Sequence, residues 1–193
     1  MKLIEIERKR TITPPQSNKL IACLKKLGYK QIENFKEVDT YYSRRDIDYM
    51  KTVECLRVRE KNGQAEITYK PETGTHNTTT DGIIAKRELD VMLADDKQAV
   101  LANDLLETIG LVKLVTVDKR RQTFSKDNNK NTTIVIDMIE GAGVFVEVEV
   151  MSSDVDLAKK TLLALETSLH IDSCKIVTIP YRDIVMANIA EKI

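Results

Sequence analysis

Near the start of the chain stands Glu5-Ile6-Glu7-Arg8-Lys9. A β-strand points successive side chains to opposite faces, so Glu5, Glu7 and Lys9 share one face and Ile4, Ile6 and Arg8 the other. Two carboxylates and an amine in one row suit a divalent cation and a phosphate better than a hydrophobic core. A solvated amphipathic strand would carry the same row into water. Repetition of the pattern in later strands decides between the two.

The pattern repeats. Cys55-Leu56-Arg57-Val58-Arg59 sets Arg57 and Arg59 against Leu56 and Val58. Residues 65–70 set Thr68 and Lys70 against Ile67 and Tyr69, and residues 84–91 align Lys86, Glu88 and Asp90. In residues 114–124, Lys119 and Arg121 share a face. Asp137 breaks the aliphatic run Thr133-Ile134-Val135-Ile136. Val144 to Val150 alternates strictly, with Glu147 and Glu149 opposite Val146, Val148 and Val150. In Val38-Asp39-Thr40-Tyr41-Tyr42, Asp39 and Tyr41 point the same way. The charged faces come in blocks of one sign, acidic on the first and last strands and basic around residues 57, 70 and 119. A sheet curled closed on these faces would have facing acids and bases inside and an apolar exterior under helices. Buried charges persist when paired or liganded. Carboxylates hold hard cations such as Mg²⁺ or Mn²⁺, and Arg and Lys grip polyanions. A metal with a polyphosphate satisfies both sets at once.

Helices must frame such a sheet. Thr13 before Pro14-Pro15 reads as an N-cap, and Leu20, Ile21, Leu24 and Leu27 recur at helical spacing up to Gly28. A second helix follows Asp95 or Asp96, carries Val100, Leu101, Leu105 and Ile109, and ends at Gly110. A third follows Ser152 or Ser153 and carries Leu157, Ala158, Leu162, Leu165 and Leu169. Pro180 opens a last one. Lys61-Asn62-Gly63-Gln64 is a hairpin turn.

The 193 residues contain 30 basic and 30 acidic side chains. Balanced charge gives no general case for nucleic acid, whose binders show a basic excess. No apolar run approaches the ~20 residues of a membrane span, and the N-terminus lacks the apolar segment of a signal peptide. Cys23, Cys55 and Cys174 have neither zinc-ligand spacing nor the look of a disulfide framework, which favours a cytoplasmic protein.

Glu5-x-Glu7-x-Lys9 resembles the opening ExExK signature of the CYTH superfamily, the triphosphate tunnel metalloenzymes. The resemblance spans essentially all of residues 1–193, read as a single domain. Leu56-Arg57-Val58-Arg59, Thr68-Tyr69-Lys70, Lys86-x-Glu88-x-Asp90, Lys119-x-Arg121, Asp137 and Phe145-Val146-Glu147-Val148-Glu149 follow in the family's order. Lys86 departs from it, because the family more often has Arg there; the charge is kept and the bidentate geometry is lost. The resemblance implies an α+β fold: an eight-stranded antiparallel closed barrel with a charged lumen and helices packed outside. It places Glu5, Glu7, Asp137, Glu147 and Glu149 in a Mg²⁺ or Mn²⁺ site. It places Lys9, Arg57, Arg59, Lys70, Lys86, Lys119 and Arg121 on the triphosphate. Glu88 and Asp90 stay unassigned acids on the same face, and a homodimer stays open.

The family divides between cyclases, in which a ribose 3′-hydroxyl attacks the α-phosphorus, and triphosphatases, in which water attacks the terminal one. Arg45-Asp46-Ile47, the Thr52 to Arg59 run, Asp81-Gly82 and Glu140-Gly141-Ala142-Gly143-Val144-Phe145 resemble the class IV adenylate cyclase branch. Asp39-Thr40-Tyr41-Tyr42 is similar to the thiamine triphosphatases, which implies that Tyr41 and Lys70 activate water, with Lys9 beside them. Those enzymes stack substrate on a tryptophan aligned with Cys55, and this chain has no Trp. An adenylate cyclase-like reaction therefore leads. A triphosphatase is the alternative, and a non-catalytic polyphosphate-binding module the third reading.

Overall fold

The computed structural model describes residues 4–72, 84–85, 89–127 and 129–191. Lys86 and Glu88 lie outside these residues. Each strand follows the period-two pattern of its sequence. β1 (Ile4–Ile12) leads into α1 (Pro14–Lys26), whose entry is a capping box. Thr13 Oγ1 accepts from the Gln16 N–H, and the Gln16 side chain accepts from the Thr13 N–H. Gly28, at φ +81°, supplies the left-handed residue that ends the helix.

β2 (Lys30–Ser43) precedes β3 (Cys55–Lys61) and β4 (Gln64–Lys70). Asn62 and Gly63, both at positive φ, make the β3–β4 turn. Two short strands follow, β5 (Ile84–Ala85) and β6 (Leu89–Met92), and then α2 (Lys97–Thr108). β7 (Val112–Lys126), β8 (Asn129–Ile139) and β9 (Gly143–Ser152) form a meander. α3 (Val155–Ser168), β10 (Ile176–Val177) and α4 (Tyr181–Ala190) complete the chain. The α3 cap is Asp154, which accepts from the Leu157 N–H at 3.0 Å, one residue beyond the serines expected to serve.

The fold is α+β, with four helices on an antiparallel sheet. The sheet has ten strands, and its ladder runs β10-β1-β9-β8-β7-β2-β3-β4-β6, with β5 on β1. Hydrogen bonds among the described residues do not close it, so the closure expected of an eight-stranded barrel is not shown by them. Two short strands share the outer edge of β1. Glu7 and Ile6 pair with β5 there, while Lys9 and Arg10 pair with β10. β6 pairs with β4 at the opposite end of the ladder. Among the described residues, the strand expected at 84–91 is represented by β5 on β1 and β6 on β4. The sheet nevertheless curls, because β1 and β4 line a common cavity.

Three of the helices cover the outer, apolar face. α1 and α3 pack Leu20, Leu24, Ala158 and Leu162 on Ile6, Ile134, Ile136, Val146 and Val148. Arg8 and Arg10 also lie on that face, and both reach the buried Glu166 of α3. α2 presses Ala99, Ala102 and Leu106 against Tyr42, Val58 and Ala65. Its small alanines allow the close approach, so the expected apolar stripe of Val100, Leu101, Leu105 and Ile109 faces outward instead.

α4 differs from the other three. Val115, Val117, Tyr41, Ile139 and Phe145 share the inward face with Lys119, Asp39, Asp137 and Glu147. They make one end of the lumen apolar. Tyr181, Ile184, Val185 and Met186 of α4 pack on this cluster. The expectation that every helix lies outside is corrected here: an apolar patch on an inner face needs its own cover.

Candidate functional site

The inner face of the sheet bounds a cavity of about 280 Å³. β1 supplies Glu5, Glu7 and Lys9, and β2 supplies Tyr41. β3 gives Cys55, Arg57 and Arg59, and β4 gives Lys70. β7 gives Lys119 and Arg121, and β9 gives Glu147 and Glu149. Alternation aims all of these side chains inward. Nearly the whole set expected from the sequence therefore meets in one place.

Strand register then sets the charge pairs. Asp39 lies directly across from Arg59, Glu37 from Lys119, Arg121 from Asp137, and Lys9 from Glu147. Opposite charges across a ladder attract. Arg59 donates to Asp39 at 2.7 and 2.9 Å, and Lys119 donates at 3.0 Å. Glu37 takes Lys119 at 2.5 Å and Arg59 at 2.7 Å. Burial alone would raise the pKa of Asp39, but Lys119, Arg59 and Arg57 hold it well below the usual carboxylate range. Glu37 and Asp39 went unassigned as site residues. Their signal was the alternation Glu37-Val38-Asp39-Thr40-Tyr41, which has the same form as the other strands.

Arg121 forks onto Asp137 with bonds of 2.8 and 2.5 Å and reaches Glu147 at 3.2 Å. Asp137, expected in the metal set, is fully buried and serves in this structure as the counter-ion of Arg121. Asp90 is exposed, accepts from the Thr68 hydroxyl at 2.9 Å, and does not line the cavity.

One register pair breaks the rule. Glu7 stands directly across from Glu149, acid against acid. Glu147 joins them, and one carboxylate oxygen from each lies within 4.8 Å of the others. Like charges placed this way are destabilising. Burial, then Glu147, pushes the Glu7 carboxyl up to about 7. Burial and Glu147 likewise raise Glu149 well above its usual value. Burial would raise Glu147 too, but Arg121, Lys9 and Lys119 bring it below its usual value. Three converging carboxylates, two of them unfavourable as anions, are a donor set for a hard divalent cation, which takes oxygen ligands and relieves the repulsion. Glu5 lines the same cavity and adds its charge to both Glu7 and Glu149.

The three expected catalytic residues also line the cavity. The Lys70 charge opposes the rise in the Glu7 pKa. Lys9 donates to the Ile179 carbonyl at 2.8 Å, and burial lowers its pKa against the pull of Glu147 and Glu7. Tyr41 donates to Asp39 at 3.3 Å, and burial and that carboxylate push its pKa up. At neutral pH its hydroxyl is therefore a donor rather than a base.

The sequence reading did not single out the wall made by Val53, Glu54, Thr178, Pro180, Tyr181 and Arg182. Val53 has φ +57°, rare for a β-branched residue. Buried Arg182 donates to the carbonyls of Glu54 at 2.8 Å and Tyr49 at 3.2 Å, on either side of it. The Thr52 to Arg59 run carries Val53 and Glu54, but nothing local in it announces the wall, whose parts come together only when α4 packs on the inner face.

Comparison with known proteins places this geometry. The CYTH domain matches residues 3–178. The chain belongs to the CYTH domain family. A relative from Methanocaldococcus jannaschii, named "putative adenylate cyclase", is 31% identical over 160 residues, 83% of this chain and 84% of that one. A solved Pyrococcus horikoshii protein superposes with a TM-score of 0.77 at 24% identity, covering 93% of this chain and 98% of that one. A Hippeastrum structure, described as a putative adenylyl cyclase with a dominant triphosphatase activity, gives a TM-score of 0.68 at 16% identity, covering 96% and 95%. These two structural likenesses bear on the fold. This CYTH chain carries alternating charged strands and a carboxylate cluster at the junction of β1 and β9.

Proposed function

We propose that this CYTH protein is a metal-dependent enzyme that takes a triphosphate in its lumen and breaks one of the phosphoanhydride bonds. The observation that carries the reading is the like-charged pair Glu7 and Glu149, joined by Glu147, in a lumen whose other charged register pairs, among the described residues, are opposite in sign. Glu7, Glu147 and Glu149 would hold the cation, with Glu5 beside them. Bound Mg²⁺ or Mn²⁺ would supply charge neutralisation on the phosphoryl oxygens. Arg57, Arg59, Lys70, Lys119, Arg121 and Lys9, together with Lys86, would grip the triphosphate. Fixed cations of this kind stabilise charge developing on a transferring phosphoryl group. Asp39, Glu37 and Asp137 hold Arg59, Lys119 and Arg121 in place before substrate arrives, which limits the ordering cost of binding.

The leading reaction is adenylate cyclase-like, supported by the name of the 31% identical relative. The ribose 3′-oxygen of ATP attacks the α-phosphorus, the bond to the β-phosphate oxygen breaks, and cyclic AMP and pyrophosphate leave. Lys70 and Lys9 stand where they can take the hydroxyl proton or steady the leaving group, and Tyr41 donates a hydrogen bond. The uncharged side chains Val53, Cys55, Thr178 and Pro180 offer a wall for the organic part of a nucleotide. The second reading is hydrolysis, in which water attacks the terminal phosphorus and orthophosphate leaves; the activity in the description of the Hippeastrum structure supports it. Both readings place the protein in the cytoplasm. Among the described residues, no helix is long and apolar enough to cross a membrane.

The test is incubation with ATP, tripolyphosphate or thiamine triphosphate, with Mg²⁺ or Mn²⁺, followed by separation of the products. Cyclic AMP with pyrophosphate supports the leading reaction. Orthophosphate without cyclic AMP replaces it with hydrolysis. Binding without turnover leaves a polyphosphate-binding module.

A further inference from the structure

Tyr181 is the first residue of α4, and it stands where the charged and apolar parts of the lumen meet. The Lys9 ammonium lies 4.0 Å from its ring centroid, and that of Lys119 lies 5.6 Å away. Phe145 meets the ring edge-on at 5.1 Å and 63°. Cation–π attraction and the T-shaped contact therefore fix the ring from several sides. The hydroxyl is in a different position. It is buried and close enough to the Glu147 carboxylate to act on it as a hydrogen-bond donor, yet among the described residues it reaches full hydrogen-bond geometry with no partner. A buried hydroxyl normally has a hydrogen bond, because an unpaired one forfeits its hydration without compensation.

We propose that Tyr181 is a positioning residue for the cation site: its hydroxyl donates to Glu147 once that carboxylate turns toward a bound divalent cation. The inference rests on the metal reading of the preceding section. Arg121 reaches Oε2 of Glu147 at 3.2 Å, but its main bonds go to Asp137. One weak donor leaves the carboxylate free to rotate about its last bond. A second donor from the Tyr181 side would fix which oxygen faces the cation. Ligating carboxylates are held by such outer partners, and loss of one typically weakens metal affinity by about 10–100-fold. In the metal-free protein Arg121 bonds Glu147, and the Tyr181 hydroxyl beside that carboxylate stays short of full hydrogen-bond geometry. α4 would thus bear on both halves of the site, on Glu147 through the hydroxyl and on Lys9 through the ring.

The test uses the full chain and Mn²⁺ alone, with free Mn²⁺ read by electron paramagnetic resonance. Wild type, E147Q and Y181F are compared. Y181F keeps the ring and removes a hydroxyl that, among the described residues, completes no hydrogen bond in the metal-free protein, so its metal-free melting temperature stays equal or rises. The expected result is Mn²⁺ affinity about 10–100-fold weaker in Y181F, with tripolyphosphate binding in the absence of metal within twofold of wild type. Mn²⁺ affinity in Y181F within twofold of wild type overturns the proposal. A lowered metal-free melting temperature, or an equal loss of metal and tripolyphosphate binding, also overturns it, because the hydroxyl would then be supporting the fold. Failure of wild type to bind Mn²⁺, or E147Q binding as tightly as wild type, removes the metal reading itself and the inference with it.

Discussion

Glu7 ties the acid cluster to the stability of the metal-free protein. Its carboxyl is pushed from 4.5 to about 7, so between these values the folded chain holds a proton that the unfolded chain has lost. A raised carboxyl pKa means that stability falls as pH rises across the window from 4.5 to about 7, with the full cost present above it. The distance from 4.5 to about 7 corresponds to roughly 3 kcal/mol between the two protonation states. The side chain is partly exposed, and solvent screening reduces this to about 1–2 kcal/mol. Glu149 shifts in the same direction and steepens the slope. The perturbation is Glu7→Gln, which removes one charge and keeps the shape. Urea denaturation in EDTA, run at pH 5, 6, 7 and 8, gives the midpoint and slope for both proteins. E7Q should be more stable than wild type at pH 8 by about 1–2 kcal/mol, and the two should converge at pH 5. Saturating Mn²⁺ should raise wild type at pH 8 more than E7Q, because a cation that binds only the folded chain stabilises it by mass action. E7Q less stable than wild type at pH 8 without metal would refute the reasoning, since Glu7 would then be a net contributor to the fold.

Other perturbations separate the site from its scaffold. Glu166→Gln leaves the Arg8 and Arg10 guanidiniums buried beside a neutral partner, and should cost about 3–5 kcal/mol in denaturant melts. Arg10 and Arg8 hold the Glu166 carboxyl below its usual value despite burial, so this stability is present above about pH 4.5 and lost as pH falls through the folded value; E166Q should flatten that acid limb. Asp39→Asn removes the shared anion of Lys119 and Arg59 and should destabilise by several kcal/mol, on the order of 3, whereas Asp90→Asn on the surface should stay within about 0.5 kcal/mol. Glu147→Gln or Glu149→Gln should abolish metal-dependent turnover in product assays while the circular dichroism spectrum is retained. Lys70→Met should lower kcat by about 10²-fold or more if Lys70 handles a proton, and an unchanged kcat would confine it to binding.

The inward direction of the charged residues was legible because period-two alternation is local: Glu147-Val148-Glu149 carries its facing within three residues. Register is not local. That Glu7 faces Glu149 while Asp39 faces Arg59 depends on how distant strands pair. A slip of one residue would turn either strand over. The assignment of Asp137 shows the consequence. The family resemblance implies a place for it beside the metal, and the ladder also sets it against Arg121, so the two neutralise each other before any ligand enters. The inward placement of α4 follows from a different kind of fact. Val115 and Val117 continue the parity of Lys119 and Arg121, so the same alternation that predicts a charged lumen also predicts an apolar stretch within it. An apolar stretch inside a curled sheet cannot be left to water, and the last helix is the element that covers it. Covering it brings Tyr181 to Lys9 and Arg182 to the backbone around Val53. The charged rows prescribe a polyanion and a cation. The apolar end of the same strands prescribes the helix that completes the wall around them.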